Sequence, residues 1–329
     1  MQYDYGDRSR PESYEYINFY DGLKKAGHEV CFFDYMEEIS LVGRSKMNAN
    51  LLECAAEFKP DLALISLYTD QIDPDTVLAL KGITKTLCFF HDDMWRREFS
   101  LNWAPRFDYF TSSDFEAERK YKSAGLDHII HFPFGVNESR YIPLPVEKKY
   151  DVSFVGQWHP YREWLINKLR KSGINVSVFG NGWPSGTLSH EDMVKVFNES
   201  KINLNLSNST SWDIRYLISS PRGILDRIRS KKDVEQIKAR HFEISACNAF
   251  QLSYYVEGLE RCYRIADEIG IFITPDDLVE KVRYYLSDEK LMAQIANAAY
   301  ERTIDEHTYL KRFSKVFQRM GFSREMANP

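Results

Sequence analysis

The chain has 329 residues, 43% of them apolar and 28% charged. At roughly 150 residues per domain this suffices for two domains with proper cores, and it is too apolar for disorder. Its 43 basic and 48 acidic residues leave a net charge of −5, which supplies no overall basic field to hold nucleic acid.

The N-terminus, Met1-Gln2-Tyr3-Asp4-Tyr5, has no basic stretch followed by an apolar one. The longest apolar run, 62–68, is far short of the roughly 20 residues that span a bilayer. The expected location is cytoplasmic, or peripheral to a membrane. Next, Gly6-Asp7-Arg8-Ser9 reads as a turn after a short strand, where a ligand loop would lie, with Asp7 and Arg8 as candidate pocket residues. Strand patterns at 29–34, 62–67, 86–90, 109–112 and 129–132 alternate with helical ones such as 14–26 and 48–58, the pattern of a parallel sheet covered on both faces. The third of these strands ends in His91, followed by Asp92-Asp93. A strand-end imidazole can hydrogen-bond ligand hydroxyls, although a His satisfied within its own loop is the plainer alternative. Five cysteines (Cys31, Cys54, Cys88, Cys247, Cys262) form no C-x-x-C pair and read as reduced, buried small residues. His128 and His131 flank a strand-like Ile129-Ile130, an alternation that argues against a shared metal.

The stretch 141–149, with two prolines and a charge run, is the expected linker between a first domain of 1–145 and a second of 146–305. The same grammar then restarts, with a strand at 151–156, a helix at 161–172, a strand at 175–179 and a helix at 191–200 begun by Ser189 with Asp192. A strand at 202–207, a polar insertion at 208–233, a helix from about 236, strands at 250–253 and 269–273, and a helix at 276–286 opened by Thr274-Pro275 complete it. The expected class is therefore α/β: two doubly wound, Rossmann-like parallel-sheet domains facing across a cleft, with ligands outside the carboxyl ends of the strands.

Several motifs fall on those strand ends. Gly156 lets a ligand approach the backbone, and Arg162 at the next helix start suits phosphate. Phe179-Gly180-Asn181-Gly182-Trp183 misses a dinucleotide fingerprint because the third glycine is misplaced and Pro184 follows. Gly180, Gly182 and Trp183 either line a base pocket or form a structural turn. Glu235 and Glu243 are eight apart, with Lys238 and Arg240 between them. On a continuous helix the two carboxylates would share a face beside two phosphate-binding cations; a solvated charged helix start is the alternative. Ser207, Asn208 and Arg215 border the same pocket if the insertion does, and otherwise belong to a plain polar loop. Tyr14, Tyr16, Trp95, Trp158, Trp183 and Trp212 lie in or beside these loops, where rings can stack on a sugar or base.

Taken in order, Tyr150-Asp-Val-Ser-Phe-Val-Gly156, Pro160-Tyr161-Arg162, Gln236-Ile-Lys-Ala-Arg-His-Phe-Glu-Ile244 and Glu306-His307-Thr308-Tyr309 with Arg312 resemble the CgeB-like glycosyltransferases. That group lies within the group 1, family 4-like class with the GT-B fold. Phe90-His91-Asp92 and Phe134-Gly135-Val136-Asn137 resemble that class more loosely, the second with Phe and Asn where Asn and Asp are usual. The resemblance implies sugar transfer with retention from a nucleotide-sugar donor, a UDP- or GDP-sugar, held mainly by the second domain. The acceptor, held mainly by the first, is a glycan, a lipid-linked glycan, a protein or a small molecule. It also implies no metal and no cofactor beyond the co-substrate. Glu243 would contact the nucleotide ribose and Glu235 the donor sugar. Lys238 and Arg240 would replace the amides of the usual Gly-rich turn, helped by Arg162, and His91 would sit at the reacting centre. The helix of 306–329 is expected to lean back on the first domain, with His307 structural. A sugar-nucleotide epimerase and a non-catalytic nucleotide-sugar-binding or coat protein are the alternatives.

Overall fold

A computed structural model describes residues 1–206, 211–219, 221–230 and 235–322. Two compact units emerge, Met1–Pro133 with Tyr309–Pro329, and Phe134–Thr308.

The first unit opens with a π-helical turn Tyr16–Tyr20 running into α1 (Asp21–Lys25). Helix α2 (Tyr35–Val42) starts where the Asp34 carboxylate accepts from the Met36 and Glu37 amides, a regular side-chain cap. Helix α3 (Arg44–Phe58) and β1 (Leu62–Ser66) follow, then α4 (Pro74–Leu80), β2 (Lys85–Phe89), α5 (Arg97–Trp103), β3 (Tyr109–Ser112), α6 (Ala117–Lys122) and β4 (Ile129–His131). The four strands are parallel in the order β1-β2-β3-β4. A core including Ile65, Val77, Leu80, Cys88, Phe110 and Ile129 backs them.

The expected strand at 29–34 is absent. That segment joins no strand, and its Val30 and Phe33 line, together with Leu64 of β1 and Leu51 of α3, a cavity of about 410 Å³. Cys31 on this segment is exposed and Cys54 half-buried, against the expectation of burial. Cys88, Cys247 and Cys262 are buried as expected.

The second unit contains β5 (Tyr150–Val155), α7 (Pro160–Lys171), β6 (Val176–Phe179), α8 (His190–Glu199), β7 (Ser200–Asn205), α9 (Ile214–Ser219), α10 (Pro221–Arg229), α11 (Arg240–Ala246), β8 (Gln251–Tyr254), β9 (Gly270–Phe272), α12 (Pro275–Leu286) and α13 (Glu289–Glu306). Ser189 and Thr274 cap α8 and α12 through the Asp192 and Asp277 amides, the caps their sequences signal. All five strands are parallel, in the order β6-β5-β7-β8-β9. The order reverses at β5, so the loops leaving β5 and β7 flank the switch point where such sheets bind ligands.

The stretch 141–149 is docked on the second unit rather than serving as a free linker. The Tyr141 hydroxyl donates to Glu243 (2.9 Å), the Leu144 amide to Asn198 (2.7 Å) and the Lys149 ammonium to Glu199 (2.6 Å). These bonds carry the division back to 133/134, ahead of the expected 145/146. The last helix, α14 (Tyr309–Arg319), belongs to the first unit, where Phe313 packs on Phe19 and Phe132 at ring-centroid distances of 5.4 and 5.1 Å.

Candidate functional site

In the second unit, the loop after β5 is shaped by its neighbour after β6. The Gly156 amide donates to the Phe179 carbonyl (2.9 Å), and the Gly156 carbonyl accepts from the Trp183 indole (2.9 Å). Gly180 has φ +127°, and a Cβ there would lie 2.3 Å from the Gly156 oxygen. Gly182, at φ +84°, leaves the space that the Trp158 Cβ occupies 2.8 Å away. These contacts give Gly180, Gly182 and Trp183 a structural part in the turn. Trp183 is buried in the core with its indole N–H spent on the backbone. Trp158 stays partly exposed, its indole N–H donating to Glu163 (3.1 Å).

The turn presents the N-terminus of α7, begun by Pro160, and Arg162 in its first turn. Arg162 donates to the Gln157 carbonyl (2.8 Å), and its guanidinium lies 5.6 Å from the Phe154 ring centroid. Burial draws the guanidinium pKa down to about 10, with Glu235 opposing and Arg240 reinforcing the shift. Arg162 is thus a full cation at neutral pH, within electrostatic reach of both motif residues. Glu235 also raises the pKa of Tyr254 at the end of β8, although burial is the larger cause.

The pair Glu235 and Glu243 does not ride one helix. Residues 235–238 are non-helical and α11 begins only at Arg240, because Lys238 and Ala239 form the turn that enters it. Lys238 sends its ammonium to the Gln236 amide oxygen (3.1 Å) and stands 5.8 Å from the Phe134 ring centroid. Glu243 is buried, its side chain 6% exposed, with one oxygen accepting from Tyr141 and the other from Arg240 (2.6 Å). Tyr141 was missed by sequence reasoning; its distance of 102 residues from Glu243 leaves no local signal. His241, next to Arg240, is wholly buried, and burial pulls its pKa down to about 4, so it is a neutral ring bonded to Ser253 (3.0 Å). His307 bonds the Cys262 carbonyl (2.8 Å) from a buried position.

Arg215 is bonded to Asp213 (2.7 Å) and Asp276 (2.5 Å). Ser207 and Asn208 lie outside the described residues. The insertion around them is not a plain polar loop, since it carries α9 and α10.

In the first unit, His91 follows β2, and its Nε2 lies 2.5 Å from Glu15 Oε1 and 2.9 Å from the Ser66 hydroxyl at the end of β1. Both neighbours meet the same nitrogen, and the Ser66 hydroxyl also donates to Glu15 Oε1 (3.1 Å), so the three side chains close a hydrogen-bonded triangle and do not form a relay through the two ring nitrogens. Burial raises the Glu15 pKa, but the His91 charge and hydrogen bond outweigh it and hold the carboxyl at about 2. Asp4 is nearby, pushed up to about 6 by burial and by Glu15. Asp92 sits at φ +51°. Asp93 turns inward and accepts from Ser112 (2.5 Å) and Tyr121 (3.1 Å). Glu15 and Asp4 were missed because they precede the first strand, where no spacing ties them to His91. Asp7 and Arg8 are exposed and engaged locally, Asp7 with Ser9 and Arg8 with Glu37. Tyr14 bonds the Tyr309 hydroxyl and stacks edge-on to Phe19, which makes it part of an aromatic core.

Residues 162–318 match the family described as glycosyl transferase-like, a match that begins at Arg162 itself. No curated protein is matched by the sequence. Among solved structures, the chain is similar to Anabaena HepE in complex with UDP-glucose, at 12% identity and TM-score 0.61 over 92% of this chain and 88% of that one. It is similar to a sucrose-phosphate synthase from Thermosynechococcus elongatus at 10% identity and TM-score 0.58, over 84% and 78% of the two chains. It is also similar to a glycosyltransferase from Rickettsia africae ESF-5 at 10% identity and TM-score 0.58, over 93% and 87%. At such identities the likeness is one of fold. The two parallel-sheet units are the Rossmann-like domains of the GT-B fold.

Proposed function

We propose that the protein is a glycosyltransferase of the CgeB-like kind, moving a sugar with retention from a UDP- or GDP-sugar to an acceptor hydroxyl. The observation that carries this reading is Arg162, a charged side chain in the first turn of the helix that leaves β5 at the switch point of the second sheet, with Glu235 and Arg240 within its electrostatic reach. A nucleoside diphosphate needs fixed donors where the leaving group gains charge, and the first turn of α7 with Arg162 and Lys238 supplies them. Those cations take the part that a metal plays elsewhere. Glu235 is assigned the donor-sugar hydroxyls. Glu243, with both oxygens already bonded, acts through Arg240 as a positioning residue, with any ribose contact falling to its spare lone pairs. In the first unit, His91 and the Glu15 carboxylate are assigned to sugar or acceptor hydroxyls.

Titration calorimetry with UDP and GDP in the presence of EDTA tests the reading. Binding without metal, weakened tenfold or more by Arg162→Ala or Lys238→Ala, is expected. Unchanged affinity in both variants overturns the phosphate assignment. Incubation of donor alone separates the reactions: slow hydrolysis to sugar of unchanged anomeric configuration fits retaining transfer, whereas an isomeric nucleotide sugar means epimerisation.

A further inference from the structure

Helices α9 and α10 expose an apolar face among the described residues. Of the 18 large apolar side chains exposed among the described residues, Trp212, Ile214, Ile218, Ile224, Leu225 and Ile228 fall within one stretch of 17. Ile218 is 78% and Ile228 70% exposed. Helical spacing explains the face: 214 and 218 are one turn apart, as are 224 and 228, while Tyr216 and Gly223 point inward and pack on one another. A Cβ on Gly223 would lie 2.5 Å from the Tyr216 ring, so the two helices are locked closely enough to form a single surface.

Charge distinguishes what this surface would meet. The chain as a whole is at −5, yet residues 211–235 hold four arginines and two lysines against three aspartates and one glutamate. Arg215 is consumed by Asp213 and Asp276, but Arg229 is exposed, and Arg227 lies 4.5 Å over the Trp212 ring. Aliphatic side chains on one face, a tryptophan at its border and arginines along it are the composition of a helix lying in the plane of a membrane interface.

We propose that α9 and α10 dock the protein on an anionic bilayer surface, with Ile218, Ile224, Leu225 and Ile228 entering the acyl boundary and Arg227 and Arg229 meeting acidic headgroups. The attachment is peripheral, since no helix among the described residues is long and apolar enough to cross a membrane. It is independent of which sugar is transferred, or whether any is.

The full chain would be sedimented with vesicles of phosphatidylglycerol and phosphatidylcholine in equal parts, and with pure phosphatidylcholine. Expected are capture by the anionic vesicles alone, loss of capture at high salt, and a fall of tenfold or more in partitioning for Ile218→Ser/Ile228→Ser. UDP binding and the unfolding midpoint of that variant should stay at wild-type values. Brominated lipid should quench tryptophan emission in the wild type and much less in Trp212→Phe, a readout that holds even if the serine variant misfolds. No capture by anionic vesicles, capture that ignores both variants, or a self-association abolished by the serine substitutions would overturn the proposal, the last assigning the face to a second copy of the chain.

Discussion

His91 Nε2 and Glu15 Oε1, 76 residues apart, meet at 2.5 Å at the carboxyl ends of β1 and β2. The pair holds the Glu15 pKa near 2, below its ordinary 4.5. A carboxyl depressed on folding stabilises fully above its unfolded pKa and loses that contribution as pH falls through the folded value. Between pH 4.5 and 2 the wild type should therefore lose on the order of 2 kcal/mol that Glu15→Gln, lacking the titration, does not lose. Urea unfolding across that range checks it; parallel curves for the two proteins would dissociate acid sensitivity from this pair.

Asp93 should do the opposite. Its buried Oδ1 has no hydrogen-bond partner, and burial raises its pKa to about 6. A raised carboxyl gives its stability below the unfolded pKa of 3.8 and surrenders it as pH climbs through 6. Asp93→Asn should flatten the unfolding midpoint from pH 4 to pH 7, where the wild type declines, as followed by thermal melts at fixed ionic strength.

Gly180 should be the most intolerant glycine in the loop after β6. Its φ of +127° and the 2.3 Å approach to the Gly156 oxygen mean that Gly180→Ala meets strain and rigid backbone together, at a cost of about 3 kcal/mol. Gly173, at φ +82° with open space around it, is the control, and Gly173→Ala should cost only the strain of about 1 kcal/mol. Chemical denaturation of the two variants separates clash from conformation, and equal losses would show that the close approach carries no cost.

The repeating order of strands and helices was legible because each element announces itself locally, as Ser189 and Thr274 do for their helices. The extended segment at 29–34 has strand-like residues but no pairing, and the pairing partner is a property of the sheet, not of the segment. Residues 208–233 looked polar because their serines and arginines outweigh a helical apolar face that only the periodicity of Ile214, Ile218, Ile224 and Ile228 betrays. At the site, Arg162, Lys238 and Glu235 could be picked out as strand-end and motif residues. Tyr141 and Glu15 could not, since their partners lie 102 and 76 residues away.

Tyr141 and Arg240 divide the Glu243 carboxylate between them, and under the proposed function this division separates structure from ligand binding. Tyr141→Phe removes one donor to a buried charge and should cost about 2 kcal/mol of stability. Arg240 keeps its partner in that variant, so nucleotide affinity should hold. Glu243→Gln removes the charge that fixes Arg240, in addition to weakening the Tyr141 bond. It should cost at least as much stability and also lower UDP affinity severalfold, because a freed guanidinium no longer presents one geometry to the diphosphate. Urea unfolding and calorimetry on both variants read the two effects separately. Equal affinity losses in the two would mean that the nucleotide responds to the packing around Tyr141, and Glu243 would lose its assignment as the residue that positions Arg240.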